Sequence, residues 1–222
     1  MKVTVDAVVF AYIEKELNVL LIERTFEPFK GMLSLAGGFI GDDESTDQAV
    51  VRKLKEETNV DINYLEQLYT FTDVKRDPRE RIISVSYYAL INPTSHHLAT
   101  NIHAKNVMWY PLNKLRGLSM AFDHLKIIEY GKSRLRNKVI YEPIGFELLP
   151  KQFTMNDLYD LYVAILGKQI DSRNFIKKIN RFGFLRKTTN KTSGHVGRRA
   201  QLFEFDQEKY NDLLLTGFVF DI

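Results

Sequence analysis

The stretch GFIGDDESTDQAVVRKLKEETNV, residues 38–60, decides how the rest of the chain is read. It opens on the second of two adjacent glycines, residues that let a backbone come close to a ligand. Charged and apolar residues then recur at helical spacing, which predicts a helix over Thr46 to Thr58. Residues four apart on a helix share a face. Arg52 and Glu56 are so related, and so are Lys53 and Glu57, so Lys53 is expected to pair with Glu57. Asn59 tolerates the left-handed backbone that often ends a helix and is expected to cap this one. A plain solvated helix accounts for charges at this spacing. It does not account for Gly38, Glu44, Arg52, Leu54, Glu56, Glu57 and Val60 falling in one fixed order.

Those seven positions resemble the Nudix hydrolase box: a Gly, five residues, a Glu, seven residues, then Arg-Glu-apolar-x-Glu-Glu-x-Gly-apolar. The preceding Leu33-Ser34-Leu35-Ala36-Gly37-Gly38-Phe39 resembles the family's Trp-x-Leu-Pro-Gly-Gly-Phe lead-in, with Leu33 for Trp and Ala36 for Pro. Two box positions depart. Lys53 replaces the first Glu, and Asn59 replaces the second Gly. The resemblance implies a strand–loop–helix that holds Mg²⁺ against a diphosphate, with Glu56 and Glu57 as ligands if any metal binds. A protonated Lys cannot coordinate Mg²⁺, and its charge opposes a nearby dication. The pocket is therefore expected to persist without the reaction. Glu44, Glu56 and Glu57 survive, which leaves residual pyrophosphatase activity open.

The 222 residues suffice for one large domain or two small ones. Apolar content of 45% and charged content of 27% match a folded, water-soluble chain rather than a disordered one. Cys is absent, which excludes a disulfide framework and Cys-ligated zinc. The N-terminal apolar run is broken by Asp6, so no signal core is read there. No membrane span is read either, and a cytoplasmic location is expected.

Strands are predicted over Val3 to Ile13, Leu17 to Ile22, Leu65 to Val74, Ile82 to Ile91 and Asn106 to Pro111. Phe122 to Lys138 is read as a helix ending in basic residues. With the Thr46–Thr58 helix these make an α/β/α sandwich around a mixed sheet, placed at residues 1–140. Residues 141–153 carry Pro143, Gly145 and Pro150 and read as a linker. In residues 154–222, Thr154-x-x-Asp157 predicts a capped helix that Gly167 ends. Asp171 opens and Gly183 closes a second helix, and Phe184–Lys187 with Ala200–Phe205 forms a hairpin. Helix, turn, helix and hairpin is the plan of a winged helix-turn-helix.

Between Arg173 and Arg199 the chain carries nine Lys or Arg and no Asp or Glu, although its whole formal charge is only +3. Such a block marks a polyanion partner. On the second helix, Phe175, Ile176, Ile179 and Phe182 form an apolar stripe that leaves Arg173, Asn174, Lys177, Lys178 and Arg181 outward. Arg173 and Asn174 stand near its N-terminus, where base contacts fall, and the lysines and Arg181 suit phosphates. Lys187, Lys191, His195, Arg198 and Arg199 would make the hairpin a basic wing.

Both halves together resemble the Nudix-related transcriptional regulators of bacteria. The resemblance also rests on Asp77-Pro78-Arg79, Ser84 to Leu90, Glu142-Pro143-Ile144-Gly145-Phe146 with Leu149-Pro150, and Arg173-Asn174-Phe175. It implies a homodimeric repressor on a palindromic DNA operator that responds to ADP-ribose or a related nucleotide in NAD metabolism. A sister group responds to pentoses, and that alternative stays open, as does an active pyrophosphatase. Arg24, Phe39, Arg52, Glu56, Asp77, Arg79 and Arg81 are the expected effector contacts. No cofactor is expected to be required, and Mg²⁺ accompanying the nucleotide effector stays open.

Overall fold

The computed structural model describes all residues except 94–97, 99–103 and 192–199. The chain divides into two compact units, Met1–Arg134 and Leu135–Ile222.

The first unit is built on β1 (Lys2–Ile13), β2 (Glu16–Arg24), β3 (Leu33–Ser34), β4 (Ala36–Phe39), α1 (Thr46–Thr58), β5 (Tyr64–Phe71), β6 (Ile82–Ile91) and β7 (Ala104–Pro111). A 3-10 turn (Leu112–Lys114) and α2 (His124–Lys138) follow. β1 and β2 are joined by two residues, Glu14 and Lys15, with φ of 49° and 65°. Positive φ at both positions gives a turn twisted like the strands it joins. β1 runs parallel to β6 and antiparallel to β2 and β4, so the sheet is mixed.

The alternate sides of β1 meet different helices. Val5, Ala7, Val9 and Ala11 join Ala49, Val50 and Leu54 of α1 in one core. Val8 and Phe10 lie against Gly131 of α2. Cover on both faces is why β1 reads as an almost unbroken apolar run, and it yields the expected α/β/α sandwich. Along one edge of β1, residues 4–7 pair with β4 and residues 10–13 pair with β2. α1 starts at a capping box between Ser45 and Gln48 and stops at Asn59, whose φ of 58° and ψ of 22° are left-handed as expected.

The second unit contains a 3-10 turn (Ile144–Leu148), β8 (Phe153–Thr154), α3 (Met155–Leu166), α4 (Ser172–Phe182), β9 (Leu185–Lys191), β10 (Gln201–Phe205) and α5 (Gln207–Leu215). Its sheet runs β8-β10-β9. Thr154 and Asp157 form the predicted capping box, and Gly167 and Gly183 take left-handed φ of 66° and 78° at the ends of α3 and α4. The helix-helix-hairpin plan of a winged helix is present.

Residues 141–153 are not a linker. Ile144, Phe146, Leu148, Leu149 and Phe153 are buried, and Phe146 stacks on Phe205 at 4.4 Å. Pro and Gly punctuate this stretch, but the apolar residues between them fill the core of the unit. The division between units likewise falls inside α2 rather than at residue 140. Just past that helix Val139 lies against Gly145, and its last turn sends the Arg136 guanidinium to the Ile165 carbonyl at 3.3 Å. α5 was not anticipated from sequence. Its Tyr210 packs edge-on to Phe184, a ring that also meets Phe205, Phe218 and Phe220. Among the described residues no helix is long and apolar enough to cross a membrane.

Candidate functional site

Two carboxylates of the box, Glu44 and Glu56, are held by cations of α1. Arg52 donates from Nε to Glu44 at 2.8 Å and from Nη2 to the other Glu44 oxygen. Its Nη1 reaches both oxygens of Glu56 at 3.2 Å. Arg52, with the Gly41 N–H, holds the Glu44 carboxyl down at about 2. Lys53 donates to Glu56 at 3.1 Å, not to Glu57 as the i,i+4 spacing suggested. Residues three apart are neighbours as well, and Glu57 is turned into the interior, where it accepts the Gly37 N–H at 3.0 Å. Burial pushes Glu57 up to about 7, against the pull of that N–H and of Lys53. Burial tends to raise Glu56 too, but Lys53 and Arg52 overcome it and leave its carboxyl below the ordinary range.

The glycines have a steric reason. A Cβ on Gly37 would stand 2.2 Å from the Val5 carbonyl and 2.6 Å from an Asp6 oxygen. A Cβ on Gly38 would stand 2.9 Å from Cε of Lys53, so the lysine stem lies along that glycine. Among the described residues no three His, Asp or Glu side chains converge to hold a metal ion. Glu44 and Glu56 are engaged by cations, Lys53 stands beside Glu56, and among the described residues Glu57 accepts only the Gly37 N–H.

Beside this helix lies a cavity of about 290 Å³. Its wall draws on β1, β2, β4, α1, the 76–79 loop and the start of α2. Two guanidiniums lie over Phe122, with Arg24 at 4.8 Å and Arg79 at 5.5 Å from its ring centre. Arg79 also lies 5.4 Å from the Phe39 ring. Guanidiniums over ring faces are attractive contacts. Arg24 is steered by the carbonyls of Pro28 at 3.0 Å and Phe26 at 3.4 Å, and Arg79 by Asp77 at 2.7 and 3.0 Å. Burial, and then the neighbouring Arg79, lower the proton affinity of Arg24 below that of a free guanidinium.

The inner wall is a buried charge network. Arg76 reaches Asp123 at 2.7 Å and Asp6 at 3.3 Å, and Ser84 donates its hydroxyl to Asp6. Burial opposes the charge on Arg76, but Asp123 and Asp6 outweigh it. His124 accepts the Leu35 N–H on Nδ1 at 2.9 Å, which assigns its proton to Nε2, 3.5 Å from Asp6. Burial keeps His124 below its usual value and therefore neutral at pH 7.

Of the expected effector residues, Arg24, Phe39, Asp77 and Arg79 line this cavity. Arg52 and Glu56 do not, because they are turned to one another along α1. Arg81 does not either; it is exposed, and its carbonyl accepts the Lys2 N–H at 3.1 Å. Sequence reading missed Asp6, Phe122 and His124 as part of the site. Asp6 carried a signal, being the one carboxylate inside a strand otherwise apolar from Val5 to Ala11.

In the second unit, Asp171 caps α4 by accepting the Asn174 N–H at 2.7 Å. Phe175 and Ile179 are buried, Phe175 against Tyr162 and Tyr159 at 5.0 and 5.8 Å. Arg173, Asn174, Lys177 and Arg181 are exposed. Lys178 differs from them in pairing with Asp221 at 2.9 Å. Lys187 is exposed on β9, while its neighbour Arg186 pairs with Glu204 at 2.7 Å. Lys191 is the last residue of β9. His195, Arg198 and Arg199 lie outside the described residues.

Comparison with known proteins agrees with both halves. Residues 2–130 match the Nudix domain family, and residues 145–205 match the NrtR DNA-binding winged helix domain. The ADPR responsive transcriptional repressor NtrR of Acinetobacter baylyi is 33% identical over 211 residues, covering 94% of this chain and 83% of that protein. The structure of Shewanella oneidensis NrtR complexed with a 27mer DNA superposes with a TM-score of 0.82 at 35% identity, over 94% of this chain and 95% of that one. The NUDIX domain of the same Shewanella protein, complexed with ADP ribose, is 41% identical over 61% of this chain and 88% of its own, with a TM-score of 0.55. The chain belongs to the NrtR family of Nudix-related, winged-helix transcriptional regulators.

Proposed function

We propose that this protein is a repressor of NAD metabolism whose Nudix unit is a receptor for ADP-ribose or a closely related nucleotide, and not a hydrolase. The cavity carries the reading. Arg24 and Arg79 lie over Phe122 where a diphosphate and a flat base would both find partners, while Glu44 and Glu56 of the box are engaged by Arg52 and Lys53. A pentose has no anion for that guanidinium pair to meet, which favours the nucleotide. The ADPR response of the Acinetobacter relative and the ADP ribose complex of the Shewanella domain support the same choice.

Arg173 and Asn174 would read bases from the start of α4, with Lys177, Arg181 and Lys187 on phosphates. Two copies on a palindromic operator would match two-fold protein to two-fold DNA. Bound nucleotide would favour an arrangement of the reading heads that no longer fits both half-sites. Linkage then requires DNA to weaken nucleotide binding by the same factor.

A mobility-shift titration tests this. Promoter DNA should be retained at low ionic strength and released by ADP-ribose but not by arabinose. Retention unaffected by any nucleotide sinks the sensing role. Turnover of ADP-ribose with Mg²⁺ at an ordinary enzymatic rate, about 10 per second, sinks the loss of catalysis.

A further inference from the structure

We propose that Lys53 meets the ligand's diphosphate in the place a metal ion takes in the hydrolases, so that effector binding needs no divalent cation. The inference rests on the receptor reading above and adds to it the residue that replaces the metal.

Lys53 lines the cavity together with Gly37, Gly38 and Glu57. Its side chain is only 18% exposed, and its stem is laid along Gly38, so the ammonium is delivered to the cavity rim rather than left to wander in solvent. Its hydrogen-bonded partner, Glu56, is 41% exposed and is held independently by Arg52 on both oxygens. Transfer of the ammonium from Glu56 to a phosphate therefore strands no buried charge. The pair it gives up is of the exposed kind, which contributes little. An ammonium offers three donors and a full positive charge to phosphate oxygens. Arg24, steered by backbone carbonyls rather than by a carboxylate, supplies a second cation to the same anion. Mg²⁺ would need oxygen ligands in tight octahedral geometry, and Glu56 is already engaged by Arg52 and Lys53 while Glu57 spends one oxygen on the Gly37 N–H.

Calorimetric titration of ADP-ribose into the full chain tests this, in EDTA and in Mg²⁺. The wild-type dissociation constant should agree within about twofold between the two buffers. Lys53→Met keeps the stem against Gly38 and removes the charge. It should weaken binding on the order of tenfold or more, the usual effect of losing a charge-assisted hydrogen bond. Lys53→Arg should restore most of that loss. Wild-type affinity that collapses in EDTA overturns the inference while the receptor reading stands. So does a Lys53→Met protein that binds as tightly as wild type. If Lys53→Met fails to fold, as judged by circular dichroism, the wild-type comparison in EDTA still decides. Wild type that takes up no ADP-ribose in either buffer overturns the receptor reading, and this inference with it.

Discussion

The cavity of the first unit and the outer face of α4 are both rich in cations, but they hold them in opposite ways. Around the cavity, Arg76 is buried between Asp6 and Asp123 and Arg79 is clasped by Asp77, and beside it on α1 Arg52 is shared by Glu44 and Glu56. On α4, Arg173, Lys177 and Arg181 face solvent with no ion pair among the described residues. Paired and buried charges have fixed directions and are weakly screened, so they suit a small ligand that must be recognised atom by atom. Solvated charges of one sign act over a Debye length, roughly 8 Å at physiological salt, and suit a long polyanion. Within one chain, then, equal numbers of basic residues can serve recognition or attraction, and the placement of carboxylates decides which.

The sharpest way to break the contrast is to remove a cation from the buried network. Arg76→Met strands Asp6 and Asp123 beside it, in a place where the Arg76 side chain is 3% exposed. Breaking a buried pair from one side typically costs 3–5 kcal/mol, so the unfolding free energy obtained from urea denaturation should fall by about that amount. A loss below about 1 kcal/mol would mean that the wall is wetter than its burial indicates.

Glu57 gives the next effect, read through pH. Its carboxyl is buried and pushed up from 4.5 to about 7. Between those values the folded chain holds a proton that the unfolded chain releases. The stability this confers is complete below about pH 4.5 and is lost as pH rises through about 7. The shift corresponds to about 3 kcal/mol. Glu57→Gln, which cannot titrate, should therefore gain stability on wild type across this window, and the gap should stop widening above it. Parallel stability curves for the two proteins would contradict the assignment. Taking the difference between the two also cancels His124, whose lowered value acts in the opposite direction.

How much of this was legible in the sequence depends on the distance over which each feature is decided. Asn59, Gly167 and Gly183 end their helices, and Asp171 opens one, through contacts within a turn of chain, and all were readable. The box placed α1 because its spacing is local. The buried network was not readable, since Arg76 meets Asp6 across 70 residues and Asp123 across 47. Lys53 illustrates the limit within a single helix. Glu56 and Glu57 are both within its reach, and the choice is made by the Gly37 N–H, which belongs to β4. Residues 141–153 misled for a related reason. Pro and Gly report a bend in the chain, not whether Phe146 will find Phe205 to stack on.

On α4 the same logic predicts effects on binding without effects on folding. Arg173→Ala and Asn174→Ala leave Phe175 and Ile179 in place, so stability should stay within about 0.5 kcal/mol of wild type. Operator affinity should fall by about 1–3 kcal/mol for each, with relaxed preference at one base position. A loss of stability comparable to the loss of binding would assign them a structural role instead.

Lys177 and Lys178 sharpen the comparison at the smallest scale, because they are neighbours in sequence with different surroundings. Lys177 is exposed, while Lys178 is half-buried and paired with Asp221 at 2.9 Å. A lysine that meets phosphate displaces a condensed counterion, so its loss should lower the salt dependence of binding by about one in the log–log slope. Lys177→Ala should do this and weaken specific and non-specific DNA alike. Lys178 already has a carboxylate at its ammonium, and DNA must displace Asp221 before it releases a counterion. Lys178→Ala should therefore change the slope by less than Lys177→Ala. Asp221→Asn should move Lys178 toward the behaviour of Lys177, strengthening non-specific binding at low salt. Filter-binding isotherms at three salt concentrations distinguish the outcomes. Equal slopes for the two lysine variants would show that an intramolecular partner does not withhold a cation from DNA, and the division drawn between paired and solvated charge would fail on α4 itself.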